Sequence, residues 1–199
     1  SFTILFLGMW SLDKNLKNTP MELFEKYLDI IPDKESEPGD GFVMPYGDSP
    51  LDNETVGEQV YMDILYTARD YVHIMTPYLI LSNEMITALT YAAKRGVDVK
   101  IIMPHIPDKW YAFVLAKTYY NELLDAGVKI YEYTPGFVHA KVFTSDDEKA
   151  VVGTINLDYR SLYLHFECAV YLYQNAEIPR VEADFQETLA KCQAVLPYD

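Results

Sequence analysis

Residues 97–103, V-D-V-K-I-I-M, form a nearly continuous apolar run bounded by Gly96 and Pro104. A run this short and this apolar reads as a strand buried on both faces, which requires a sheet with helices on either side. The flanking sequence has that form. Residues 83–95 carry a helical pattern stopped by Gly96, and residues 109–126 carry another stopped by Gly127. Strand patterns at 71–75 and 128–133 alternate with them. The alternation predicts an α/β domain of three layers, α/β/α, around a mostly parallel central sheet. Between residues 128 and 173 the strand patterns follow one another too closely for helical crossovers. Antiparallel pairing is expected there, so the sheet should be mixed. A last helix is predicted over residues 179–194.

At 199 residues the chain is long enough for one domain with a substantial core and too short for two. Residues 1–31 read as helix-rich, with Leu23, Phe24, Tyr27, Leu28 and Ile31 at helical spacing after Pro20. Residues 32–40 are charged and rich in breakers, and read as a linker or exposed loop. This divides the chain into a helical tail with linker, 1–40, and a catalytic domain, 41–199. A strand over 41–46 and a turn at 47–50 follow. Thr55-x-x-Glu58 has the spacing of a capping box ahead of a helix bearing Val60, Ile64 and Leu65.

The residues with chemistry concentrate between Val138 and Glu167. Residues 138–143 alternate apolar and polar and predict a strand, which puts His139 and Lys141 on one face. Asp146 follows at the strand's end. A second strand over 150–154 delivers Thr154 and Asn156, and a third over 166–173 begins beside Glu167. Histidine, lysine, asparagine and glutamate together suit a phosphodiester, and no Gly-rich nucleotide loop accompanies them.

His139-x-Lys141-x4-Asp146 followed by Gly153-Thr154-x-Asn156 is similar to the HKD signature of the phospholipase D superfamily. The segments G-F-V-H-A-K at 136–141 and V-G-T-I-N-L-D-Y-R-S at 152–161 resemble the second HKD motif of bacterial cardiolipin synthases. Asp48-Ser49-Pro50, Thr76-Pro77-Tyr78, Gly96-Val97-Asp98-Val99 and Pro104-x-x-Pro107-Asp108-Lys109 match the same pattern in order. The resemblance extends over residues 42–173 and implies a phospholipase D-like fold. It also implies phosphatidyl transfer between two phosphatidylglycerol molecules, giving cardiolipin and glycerol through a phosphohistidine. Lys141, Thr154 and Asn156 would then hold phosphoryl oxygens, and Glu167 would orient an imidazole. Which histidine of the pair is the nucleophile stays open. Family members carry HKD twice and this chain carries it once. The resemblance therefore implies an upstream HKD half of the same polypeptide, with membrane attachment through N-terminal segments and catalysis on the cytoplasmic side of the cell membrane. The chain by itself is expected to be soluble and inactive. The alternatives are a phospholipase D-type phosphodiesterase or nuclease acting as a homodimer, and a non-catalytic half-domain.

Other residues have plainer readings. Asp146, although part of the signature, sits where acidic side chains usually satisfy turn backbone. Arg160 binds lipid phosphate or anchors its turn. His105 follows a predicted parallel strand, where α/β ligand crevices lie, and is a candidate lining residue. His73 and His165 are assigned to packing or surface. No HExxH or Cys/His cluster is present, and lysine is not a usual metal ligand, so no metal and no cofactor is expected. No G-x-S-x-G elbow supports a Ser-His-Asp enzyme. Thirty acidic residues against 16 basic give a net charge of −14, which argues against nucleic acid as a partner. Cys168 and Cys192, without a CxxC, read as reduced thiols.

Overall fold

The computed structural model describes residues 2–13, 25, 27 and 39–197. In order these form α1 (Phe2–Asp13), β1 (Phe42–Asp48), α2 (Val56–Thr67), β2 (Tyr71–Met75), β3 (Leu79–Ile80), α3 (Asn83–Lys94), β4 (Asp98–Pro104) and α4 (Trp110–Asp125). Then come β5 (Lys129–Tyr133), β6 (Val142–Ser145), β7 (Lys149–Gly153), β8 (Leu157–Asp158), α5 (Tyr159–Tyr163), β9 (Glu167–Tyr173), α6 (Ile178–Leu189) and β10 (Cys192–Ala194). The helix expected after Pro20 and the linker over 32–40 lie outside the described residues, except for helical Glu25 and Tyr27 and for Gly39 and Asp40. Among the described residues no helix is long and apolar enough to cross a membrane.

Eight strands make one sheet in the order β1-β9-β7-β6-β2-β4-β5-β10, and β3 and β8 make a two-stranded parallel pair. The class and the mixed sheet are as expected. Within the eight-stranded sheet the parallel pairings number only two, β2 with β4 and β4 with β5, while the other five are antiparallel. Two of the five come from the connections among β6, β7 and β9, which reverse the chain rather than cross it over, and the other three join strands distant in the chain.

Alternate side chains build the two outer layers. Ile74, Ile101 and Phe143 face one side, where α2, α3 and α4 contribute Tyr61, Ile64, Met85, Leu89, Ala116 and Leu123 to the main core. Their neighbours Met75, Ile102 and Val142 face the other side, covered by Phe185 of α6. This double coverage is what the apolar run of β4 demands.

Several local expectations shift. Thr55 makes no side-chain cap; instead Asp48 at the end of β1 accepts the Gly57 amide at 2.7 Å. Glu58 is taken up by Ser82 Oγ at 2.7 Å and Tyr163 OH at 2.6 Å. The strand expected over 138–143 pairs only from Val142, because its partner β2 ends at Met75 before Thr76-Pro77, and proline has no amide to continue a ladder. The last helix stops at Leu189, and β10 then pairs with β5.

One edge of the sheet gathers the ends that matter. The C-termini of β1, β2, β4, β5 and β7 and the starts of β6 and β9 all meet there, as the registers Met75 to Val142 and Asp48 to Glu167 show. Ligand crevices form where parallel strands end at such an edge.

Candidate active site

Gly153 closes β7 against β9. A Cβ at this position would lie 2.4 Å from Ala169 Cβ and 2.5 Å from Cys168 O, so only glycine permits the approach. Thr154 is thereby locked to β9. Its amide donates to Cys168 O at 2.9 Å, and its Oγ1 accepts the Cys168 amide at 3.0 Å. The same hydroxyl donates to Glu167 Oε2. The buried Glu167 carboxylate sits with its other oxygen 3.5 Å from His165 Nδ1.

Lys141 is buried, and its ammonium donates to His139 O at 2.6 Å. Burial lowers its pKa, while the charges of Glu167 and Asp158 oppose the shift. His139 is exposed and its ring stacks on Phe137 with centroids 5.6 Å apart. Its pKa falls below the ordinary 6.5, first through partial desolvation and second through Lys141, with Asp108 acting in the opposite direction. The imidazole is therefore held neutral near neutral pH, the form that can attack phosphorus or accept a proton. Although residues 138–141 lie outside the ladder, His139 and Lys141 remain electrostatic neighbours, as their spacing predicts.

A cleft of about 370 Å³ opens beside these groups, lined by Asn156, Asp158, Arg160, Tyr78, Lys109 and His165 among others. Asn156 Nδ2 donates to Ser161 Oγ at 2.8 Å, and its buried Oδ1 has no hydrogen-bond partner. Asp158 caps α5 by accepting the Ser161 amide at 2.8 Å. Tyr78 OH donates to Asp108 Oδ2 at 2.6 Å, which ties the cleft wall to the carboxylate that acts on His139.

Two of the residues singled out from sequence stand elsewhere. Asp146 follows the far end of β6, away from the edge that carries His139. With a φ of 56°, it turns its carboxylate onto the backbone amides of Arg69, Asp70 and Tyr71 at 2.8, 3.0 and 2.9 Å. Three amide donors hold that carboxylate at the opposite end of β6 from His139, so it is not part of the cluster. His105 does follow β4 at the correct edge, but the buried Glu132 captures its Nδ1 at 2.8 Å and it does not line the cleft.

Sequence reasoning passed over His165, Tyr78, Asp108, Lys109 and Ser161. Four of these stood in motif segments already noted, without any sign of their function. His165 had one usable signal: two residues before Glu167, it can share a carboxylate with the motif.

The chain matches the family model described as the cardiolipin synthase, PLD-like domain, over residues 61–189. It is 61% identical to an uncharacterized protein of Streptococcus mutans serotype c over 98% of this chain and 41% of that one. It is 41% identical to cardiolipin synthase 2 of Bacillus anthracis over 71% of this chain and 27% of that one. The chain thus spans well under half the length of these relatives. In fold it is similar to the phospholipase D family member Nuc from Salmonella typhimurium, with TM-score 0.66 and 19% identity, covering 78% of this chain and 99% of that one.

Proposed function

Because the chain belongs to the cardiolipin synthase, phospholipase D-like domain family, we propose that it supplies one half of a phosphatidyltransferase site in a longer protein. The observation that carries this reading is an exposed His139 beside a buried Lys141, with Glu167 of β9 acting on that lysine and held by Thr154 just after β7. In the transfer, an imidazole nitrogen attacks the phosphorus of phosphatidylglycerol, and the bond to the headgroup glycerol breaks. A second imidazole donates its proton to the departing glycerol oxygen. The hydroxyl of another phosphatidylglycerol then gives its proton to that second imidazole and attacks the phosphohistidine. The P–N bond breaks and cardiolipin is released. Lys141 stabilises the charge that gathers on the phosphoryl oxygens, in a partly dehydrated setting where such stabilisation is strongest. Asn156, in the lining of the adjoining cleft, joins it through the second N–H of its Nδ2, the first being donated to Ser161 Oγ.

One HKD motif supplies one of the two imidazoles, so the partner is an upstream half of the same polypeptide. Membrane attachment would then lie in further N-terminal segments, with the catalytic part on the cytoplasmic side. The test incubates the purified chain with radiolabelled phosphatidylglycerol, alone and mixed with the upstream half expressed separately. The expected result is cardiolipin and glycerol only on mixing, and none with His139→Ala. Turnover by the chain alone as a dimer would instead favour the homodimeric phosphodiesterase. Phosphatidic acid as the sole product would identify a hydrolase.

A further inference from the structure

The cleft beside the reaction centre is cationic in a chain with nearly twice as many acidic as basic residues. Lys109, Arg160 and His165 all line it. Arg160 is exposed on α5, and among the described residues no hydrogen bond or ion pair occupies its guanidinium. Lys109 rests over the Tyr78 ring at 5.6 Å from its centroid and has no carboxylate partner among the described residues. The one acid in the lining, Asp158, is buried and accepts the Ser161 amide, and Glu167 faces His165 at 3.5 Å, so the cations left without a carboxylate partner in the cleft are Arg160 and Lys109. Exposed Tyr111, Tyr159 and Leu164 form the rim of the same cleft. A charged pocket with an apolar rim suits an anion attached to a hydrocarbon. Planar arginine suits a phosphodiester best, because it can bond two of its oxygens at once.

Phosphatidyl transfer creates a need for such a pocket. The acceptor's attacking hydroxyl is separated by three carbons from a phosphodiester of its own. When that hydroxyl stands at the phosphohistidine, the acceptor's phosphodiester must lie one glycerol unit away. The cleft meets the reaction centre through Asn156 in its lining, through Asp158, which acts on Lys141, and through Tyr78 bound to Asp108. Resting on the transfer reading above, we propose that this cleft is the acceptor subsite. It binds the non-reacting phosphodiester of a phospholipid headgroup that bears a free hydroxyl, through Arg160, Lys109 and His165. Attack then forms the new O–P bond and breaks the P–N bond. The nitrogen keeps that electron pair, and the hydroxyl proton goes to the second imidazole. An acceptor held there presents its hydroxyl to the phosphohistidine at high effective concentration, so the subsite favours transfer over hydrolysis.

The chain has four histidines, few enough to follow one by one in the proton NMR spectrum after assignment with single His→Gln variants. The probe is glycerophosphoglycerol, the deacylated headgroup. The His165 ring resonances should move saturably in the wild type and equally in His139→Ala. In the double variant Arg160→Gln, Lys109→Gln the apparent Kd should weaken about tenfold or more, the scale of losing charge-assisted bonds to phosphate. The buried His73 resonance reports that this variant keeps its fold. Inorganic phosphate should need about tenfold higher concentration, because it lacks the glycerol arms that the tyrosines contact. A response at His139 alone, or a His165 response indifferent to the double variant, overturns the subsite. So does equal potency of inorganic phosphate. None of those results touches the transfer reading, which fails separately if the mixed halves release only phosphatidic acid.

Discussion

At the scale of single residues, the site depends on the charge state of one imidazole. Desolvation and Lys141 together lower the His139 pKa below 6.5, against the pull of Asp108. A histidine depressed in this way binds its proton less readily in the folded chain than in the unfolded one. The folded state is therefore relatively disfavoured as pH falls below the ordinary value, and the neutral, reactive form survives to more acid pH. Lys141→Met removes the positive neighbour and keeps an apolar stem of similar length. The His139 pKa, followed by its ring-proton titration, should rise in this variant. An unchanged or lower value would show that Lys141 does not act on the imidazole. The motif's spacing made this pair legible, since residues two apart in extended chain stay close even without a ladder. The role of Asp146 in the fold was legible only as turn chemistry, because the amides it binds are those of residues 69–71, more than seventy positions away.

Among the elements, α6 has the most to lose from one change. It covers a small apolar cluster, Met75, Ile102, Val142 and Phe185, with Phe185 fully buried and stacked on His73 at 4.6 Å and 6°. His73 Nδ1 lies 2.7 Å from Glu182 Oε1, and Thr144 donates to the other oxygen. Burial tends to raise the Glu182 pKa, but the bonds from His73, Gln186 and Thr144 outweigh it and hold the value below 4.5. That contribution is present above the ordinary carboxyl value and is lost as pH falls through the folded one. Phe185→Ala should cost about 3–5 kcal/mol in urea denaturation, and Phe185→Leu markedly less. Equal small losses would mean that α6 is held by its polar bonds instead. Elements with a period of their own, such as α3, α4 and β4, were readable from sequence within a residue or two. The β3–β8 pair and β10 were not, since two- and three-residue strands exist only through partners distant in the chain. The start of β6 was hidden for the same reason, being set by Pro77, just past the end of β2.

For the whole molecule, two forces of different range meet at a phospholipid surface. The charge of −14 repels an anionic bilayer over a Debye length, about 30 Å at 0.01 M salt and about 8 Å at 0.15 M. Attraction is local. Tyr111 of α4, Tyr159 and Leu164 stand exposed in the cleft lining, and Trp110 and Val114 are exposed on the same helix as Tyr111. Residues 109–121 contain two lysines and no acid, so this stretch adds no repulsion of its own. Salt shortens the repulsion without weakening apolar contact. Sedimentation with vesicles containing phosphatidylglycerol should therefore show association that increases from about 0.01 M to about 0.15 M salt. A surface that bound through exposed lysines would show the reverse. Association that falls with salt would mean that a basic patch, rather than the apolar rim, meets the bilayer. Trp110→Ser should reduce the association at every salt concentration and leave the direction of its salt dependence unchanged, because it removes exposed apolar area beside Tyr111 and leaves the net charge at −14.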